Sequence, residues 1–441
     1  MRLLIKGGTI VNENRSFHAD LLIENGRILS IFENVLCPRD AYHEVIDVTG
    51  CFVLPGVIDE HVHFREPGMS AKADIYTESR AAAAGGVTSF LDMPNTNPQT
   101  TTREALEAKY QLAAEKSVVN YGFFLGATNL NADRFTDIPR HLVPGIKLFM
   151  GSSTGNMLVD RRESLEQVFK ICHDLRLPLM THCEDTAIIN RNMRAAQEQY
   201  GPDPAISLHP RIRSTEACYA STALAAELAR KFDTRLHVAH VTTAQELEFA
   251  GENVSLEACV PHLVFSEADY ETKGALIKCN PAVKSATDRE SLRQALADGR
   301  IFTIATDHAP HQWSEKQGGA SKALSGMPMV QFSLVSMLQL VNEGVLTIEQ
   351  LVALMCHHPA SLFHIQQRGY IREGYWADLA IVEPSRPWAL TKDVILSKCG
   401  WSPLEGNSFE WKVKATLCNG SLVYREGEVE SSNIGKQLYF A

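Results

Sequence analysis

The sequence predicts an α/β protein, a (β/α)8 TIM barrel with a small β-sandwich domain built from both chain termini. Three observations point there. Eight short apolar runs recur through the middle of the chain, with helical stretches between several of them. Both ends carry short strands and turns instead. Histidine, aspartate, asparagine and lysine gather where the apolar runs end, the position at which a barrel collects its catalytic groups.

Near the N-terminus, "RLLIKGGTIV", "ADLLIENGRILSIF" and "EVIDVTGCFVLPG" alternate apolar runs with Gly-containing turns and read as a small β unit. The barrel strands follow as "GVIDEHVHF", "VTSFLDMP", "NYGFFLGAT", "GIKLFMG", "LPLMTHCED", "RLHVAHVTT", "VSLEACVPH" and "IFTIATDHAPH". Helical segments such as "ADIYTESRAAAAGG", "REALEAKYQLAAEK", "RRESLEQVFKICHDL" and "STEACYASTALAAELARKF" separate several of them, because parallel strands need long crossovers. Toward the C-terminus, "GYIREGYWADLAIVEP" and "KVKATLCNGSLVYREGEV" return to apolar runs around an Asn-Gly turn. The expected boundaries are 1–54 and 366–441 for the two parts of the β domain and 55–365 for the barrel.

Composition excludes several classes. At 441 residues, with 45% hydrophobic and 21% charged, the chain has enough apolar material for one large domain and a smaller one. No apolar run approaches the ~18 residues of a membrane span. Lys6 breaks the first apolar run where a secretory segment would continue, so a cytoplasmic protein is expected. Ten cysteines stand singly without a Cys-x-x-Cys pair, which fits reduced thiols. A formal charge of -10 without a basic run argues against nucleic acid as a partner.

The chemistry starts at "DEHVHFREPG". Strand side chains alternate, so His61 and His63 project to one side and can hold one ion together. Among sixteen histidines a lone His-x-His also fits ordinary core or surface residues. His182, His240 and Asp307 at three further strand ends add to it, and four imidazoles with a carboxylate suit zinc or a similar divalent ion. Lys147 leaves two readings open. It snorkels out or pairs with an acid, or burial lowers its pKa and the neutral amine takes up carbon dioxide to become an anionic carbamate able to bridge two metals. Two cations about 3.5–4 Å apart would acidify a water for attack on a carbonyl, and Asp307 could carry its proton to the departing nitrogen. The chemistry is hydrolysis or its reverse.

Together, "DEHVHFREPG", "DMPNTNPQT", "GIKLFMG", "MTHCED", "LHVAHVTT" and "ATDHAPH" resemble the amidohydrolase superfamily and, within it, the dihydroorotases, over nearly the whole chain. The resemblance implies an enzyme with two Zn2+ per subunit that interconverts N-carbamoyl-L-aspartate and L-dihydroorotate in pyrimidine biosynthesis. It implies that His61, His63 and Asp307 bind one zinc, His182 and His240 the other, and carboxylated Lys147 bridges them. Asp307 would also be the catalytic acid/base. Arg65 and Asn95 would bind the substrate carboxylate, His311 would assist, and Asn280 would lie near the pyrimidine ring. A guanidinium fork grips a carboxylate bidentately, in keeping with Arg65. Asn95 also fits a turn residue, His311 a surface loop histidine, and "GSSTG" with Ser153 and Thr154 either a segment closing over substrate or an ordinary turn. Homo-oligomerisation and association with aspartate transcarbamoylase are further expectations of the resemblance.

Three positions depart from the family pattern. Lys147 stands where many bacterial relatives have aspartate, "SGMPMVQ" replaces a Pro-Gly followed by glutamate, and "NPAVK" replaces "NPPLR". Two other functions compete. An allantoinase or dihydropyrimidinase would use the same metals, but its substrate lacks the ring carboxylate, and allantoinase typically carries asparagine at the position of Arg65. An inactive scaffold would usually lose metal ligands, and here all six are present.

Overall fold

The computed structural model describes residues 2–151, 157–430, 432 and 434–441. Ser153 and Thr154 of "GSSTG", read either as a segment closing over substrate or as an ordinary turn, lie outside the described residues. In the middle of the chain, Val57–Val62, Val87–Asp92 and Asn120–Phe123 pair side by side in parallel. A second parallel run joins Leu125–Gly126, Ile146–Phe149, Leu179–His182, Leu236–Val238, Val254–Cys259 and Thr303–Ala305 in chain order. The two runs meet twice. Asn120–Phe123 and Leu125–Gly126 are successive halves of the third strand, and beyond the eighth strand His308 bridges to Val62 while His63 N–H donates to His308 O at 2.7 Å. The eight strands therefore close into the expected barrel.

One expected strand is broken. In "NYGFFLGAT" both Phe123 and Phe124 are fully buried, and Phe124 N–H turns to Asp92 O at 3.2 Å. A barrel strand is covered on both faces, so its sequence need not alternate and hides such an irregularity. The crossovers also differ in kind. Ile75–Ala84 starts on Asp74, whose carboxylate accepts from Thr77 N–H at 2.8 Å, and it buries Ala81, Ala82 and Ala83. After the third and sixth strands the chain makes only 3-10 turns, Ala132–Asp137 and Gln245–Phe249 among them.

The chain ends build one nine-stranded sheet. Arg2–Asn12 pairs antiparallel with Arg15–Glu24 and parallel with Glu44–Asp47 and Phe52–Pro55. Phe52–Pro55 in turn pairs with Leu379–Ala389, which leads to Ser408–Cys418 and Ser421–Arg425. A register break between Ile5 and Gly8 lets the sheet fold over its own core of Ile5, Ile10, Leu21, Val53, Leu379 and Leu417. Asp378 ties this unit to the barrel. Its carboxylate pairs with buried Arg368 and accepts from Asn120 Nδ2 of the third barrel strand at 3.1 Å. Among the described residues no helix is long and apolar enough to cross a membrane.

Candidate active site

His61 lies in the first barrel strand and His63 just beyond its end. Both rings turn toward Asp307, two residues past the eighth strand: its Oδ1 lies 3.1 Å from His63 Nε2 and 3.6 Å from His61 Nε2. Their other nitrogens are held from behind. His61 Nδ1–H donates to Glu257 Oε1 and His63 Nδ1–H to Asn95 Oδ1, each at 2.8 Å. At the end of the fifth strand, His182 Nε2–H donates to Glu184 Oε2 at 3.1 Å, which leaves His182 Nδ1 2.9 Å from His240 Nε2. The four imidazoles thus converge on one region; His61, His63 and His182 are fixed by a partner on the far side of the ring, whereas His240 Nδ1 is buried without one and the residue is held through its backbone N–H to Glu257.

Lys147, in the fourth strand, is fully buried, with Nζ 3.5 Å from His61 Nε2. No carboxylate pairs with it among the described residues, and burial lowers its amine below the usual range against the pull of Glu257 and Asp307. Burial also pushes His61 and His240 well down, so both rings are neutral and free to donate a lone pair. Burial alone would raise the Asp307 carboxyl, but His61, His63 and Lys147 outweigh it and hold the group well below the carboxylate range. The ligand atoms of His61, His63 and Asp307 all lie within 4.8 Å of one another. Imidazole nitrogens around an ionised carboxylate fit a divalent cation.

A cavity of about 30 Å³ opens onto this cluster, lined by His61, His63, Arg65, Phe149, His182, His240, Asn280, Asp307, Ala309, Ser325 and Gly326. Arg65 is 4% exposed, and its Nε–H donates to Pro310 O at 3.0 Å. Burial lowers its pKa to about 10, still a cation at neutral pH, and no carboxylate pairs with it among the described residues. Asn280 turns a buried Oδ1 without a partner toward this region. His311 is buried rather than on the surface, with Nε2 3.1 Å from Arg65 Nη2. Asn95 stands beside His63 and does not line the cavity.

A family model described as "Amidohydrolase family" matches residues 52–423, the barrel and most of the terminal sheet's second part. The chain belongs to the amidohydrolase family. A dihydroorotase of Methanosarcina acetivorans is 33% identical over 97% of this chain and 93% of its own length. An allantoinase of Bacillus velezensis is 31% identical over 96% and 94%. Among solved structures, an L-hydantoinase (dihydropyrimidinase) from Arthrobacter aurescens superposes with a TM-score of 0.93 at 26% identity, covering 99% of both chains. This amidohydrolase is a hydrolase acting on cyclic amides.

Several residues of this amidohydrolase site are not among those read from the sequence. Glu257 accepts from both the His61 ring and His240 N–H, each at 2.8 Å. It is the lone acid inside the apolar run "VSLEACVPH", and that isolation was the available signal. Glu184, two residues after His182, pairs with Arg213 as well as with His182. Glu60 and His237 form a further buried pair at 3.0 Å, earlier along their strands than the converging ring nitrogens. In "SGMPMVQ", His308 Nδ1 accepts from Met329 N–H (3.0 Å) and Val330 N–H (3.1 Å). Gln331 donates to Val394 O (2.6 Å) and accepts from Leu396 N–H (2.8 Å), a two-point contact that an amide makes and a carboxylate could not.

Proposed function

We propose that this protein is a dihydroorotase, which interconverts L-dihydroorotate plus water and N-carbamoyl-L-aspartate in pyrimidine biosynthesis. The observation that carries this reading is Arg65, a buried guanidinium on the cavity wall with no carboxylate partner among the described residues. Such a charge is costly unless an anion meets it, and dihydroorotate carries a ring carboxylate that allantoin and dihydrouracil lack. In this reading Arg65, with His311 and Asn95 nearby, takes that carboxylate, and Asn280 offers its amide to the ring. His61, His63 and Asp307 would hold one Zn2+ and His182 and His240 the other, with Lys147 as a carbamate the residue that would be shared between them. The lowered pKa of Lys147 and its lack of a carboxylate partner favour the carbamate.

When bound, the cations supply an acidified water and polarise the amide carbonyl. Asp307 is ionised and within reach of both His61 and His63. It takes the proton of the attacking water and delivers it to the ring nitrogen as the amide bond breaks; ring closure reverses the transfer. A cytoplasmic enzyme agrees with ten free cysteines, nine of them buried. Homo-oligomerisation and association with aspartate transcarbamoylase rest on the resemblance alone, and light scattering of the purified protein with and without that partner tests both.

A substrate panel tests the function. L-dihydroorotate is expected to be turned over far better than dihydrouracil or allantoin, and Arg65→Ala to lower kcat/KM on it by about 10²-fold. Equal rates on all three compounds would remove the assignment in favour of an allantoinase or hydantoinase, the other names among the relatives. No turnover of any would favour an inactive scaffold.

A further inference from the structure

Beside Arg65 stands a cation for which the reaction above has no use. Lys72 Nζ donates to His311 Nδ1 at 3.1 Å and pairs with Glu315 Oε1 at 2.9 Å. An ammonium carries donors only, so Nδ1 is the acceptor and the one proton of the His311 ring sits on Nε2. That Nε2–H donates to Ser325 O at 2.9 Å and lies 3.1 Å from Arg65 Nη2. Two donors, the guanidinium and the ring N–H, therefore stand side by side, and neither can satisfy the other. Arg65 and Ser325 line the cavity and His311 does not; its Nε2–H is taken by Ser325 O, so the guanidinium is the donor left for the cavity.

The other ring states fit worse. A proton on Nδ1 would face the Lys72 ammonium, and its acceptor would be Glu315 Oε2 at 3.5 Å. The bare Nε2 would then accept from Arg65 and close the donor pair internally. A doubly protonated ring is opposed by burial and by Arg65, Lys72 and Lys316, which press the His311 pKa down to about 2.

We propose that Lys72, held by Glu315, is a positioning residue that keeps the His311 proton on Nε2, where Ser325 O accepts it, and thereby prevents the ring from accepting Arg65 Nη2, leaving the guanidinium free for a substrate carboxylate. The inference rests on the reading of this pocket as a carboxylate site. It places a determinant of anion selectivity outside the metal motifs.

The test is a double-mutant cycle on the zinc-loaded enzyme with L-dihydroorotate. Lys72→Met is expected to raise KM about tenfold with little change in kcat, and Lys72→Arg, which keeps a cationic donor, to recover most of the loss. In a His311→Ala background Lys72→Met should add nothing. An unchanged KM in Lys72→Met, or an equal loss with and without His311, overturns the proposal. A second readout needs no variant of Lys72: in ¹⁵N-histidine-labelled enzyme, the His311 signals, assigned by difference from His311→Ala, should show an unprotonated Nδ1. A protonated Nδ1 overturns the proposal even if Lys72→Met fails to fold. Wild-type enzyme that ignores L-dihydroorotate refutes the substrate reading instead, while the tautomer still judges Lys72.

Discussion

Glu257 controls two of the four converging histidines from one carboxylate, through the His61 ring and the His240 backbone. Its removal should therefore act on the metal centre without touching it. Glu257→Gln keeps the shape and loses the charge that strengthens the bond to Nδ1–H. Metal affinity is expected to fall about 10–100-fold, measured by competition with a chromophoric chelator; unchanged affinity would mean that barrel packing alone aims His61. The backbone also carries strain here. Arg65, His240 and Asp307 have φ of 66°, 39° and 48°, a left-handed region that costs side-chain-bearing residues about 1–3 kcal/mol each. His63 and Asp307 stay in register through such bonds as His63 N–H to His308 O.

Among the secondary elements, the strands carry the site and the connections vary. The polar residues at strand ends were legible because an apolar run that stops on histidine or aspartate is locally unusual. The 3-10 crossovers and the break at Phe124 were not, because segments buried on both faces carry no periodicity. One irregular element invites a pH experiment. Ala353–His357 is a π-helical turn, and at its end His357 Nδ1–H donates to Gly369 O (2.6 Å) while Nε2 accepts from Glu13 N–H (3.0 Å). The neutral ring uses both nitrogens, whereas a protonated one would oppose the Glu13 N–H. Burial lowers its pKa from the ordinary 6.5, against the Gly369 hydrogen bond and Glu13, with His358 and Arg372 acting in the same direction as burial. The unfolded chain then binds the proton first, so this contribution is present above pH 6.5 and is lost as pH falls below it. His357→Gln should lose less melting temperature than wild type between pH of about 7.5 and 5.5. An identical drop in both would place the acid sensitivity elsewhere.

For the whole molecule, the six residues proposed to hold metal come from five barrel strands or the loops that follow them. Bound metal would cross-link the barrel near its C-terminal rim and would stabilise the folded state alone, by about 2.7 kcal/mol at a free concentration 100 times Kd. The intact subunit, weighed without acid, is expected to exceed its sequence mass by two zinc ions and one CO2. Prolonged chelation should remove the zinc, abolish activity and lower the melting temperature. A melting temperature indifferent to chelation would show that the apo barrel is already fully stable.

Local chemistry was enough to name the barrel, the terminal β unit, the residues that converge at the strand ends and the arginine beside them, because each depends on residue type and on periods of a few residues. Partnership was decided only by the closed fold. His61 meets Glu257 across 196 positions, and Lys72 meets His311 across 239. A hydrogen bond chooses its partner by direction and distance in space. Only the closure of eight strands brings these positions within 3.1 Å, and no pattern along the chain encodes which nitrogen of a ring will carry the proton.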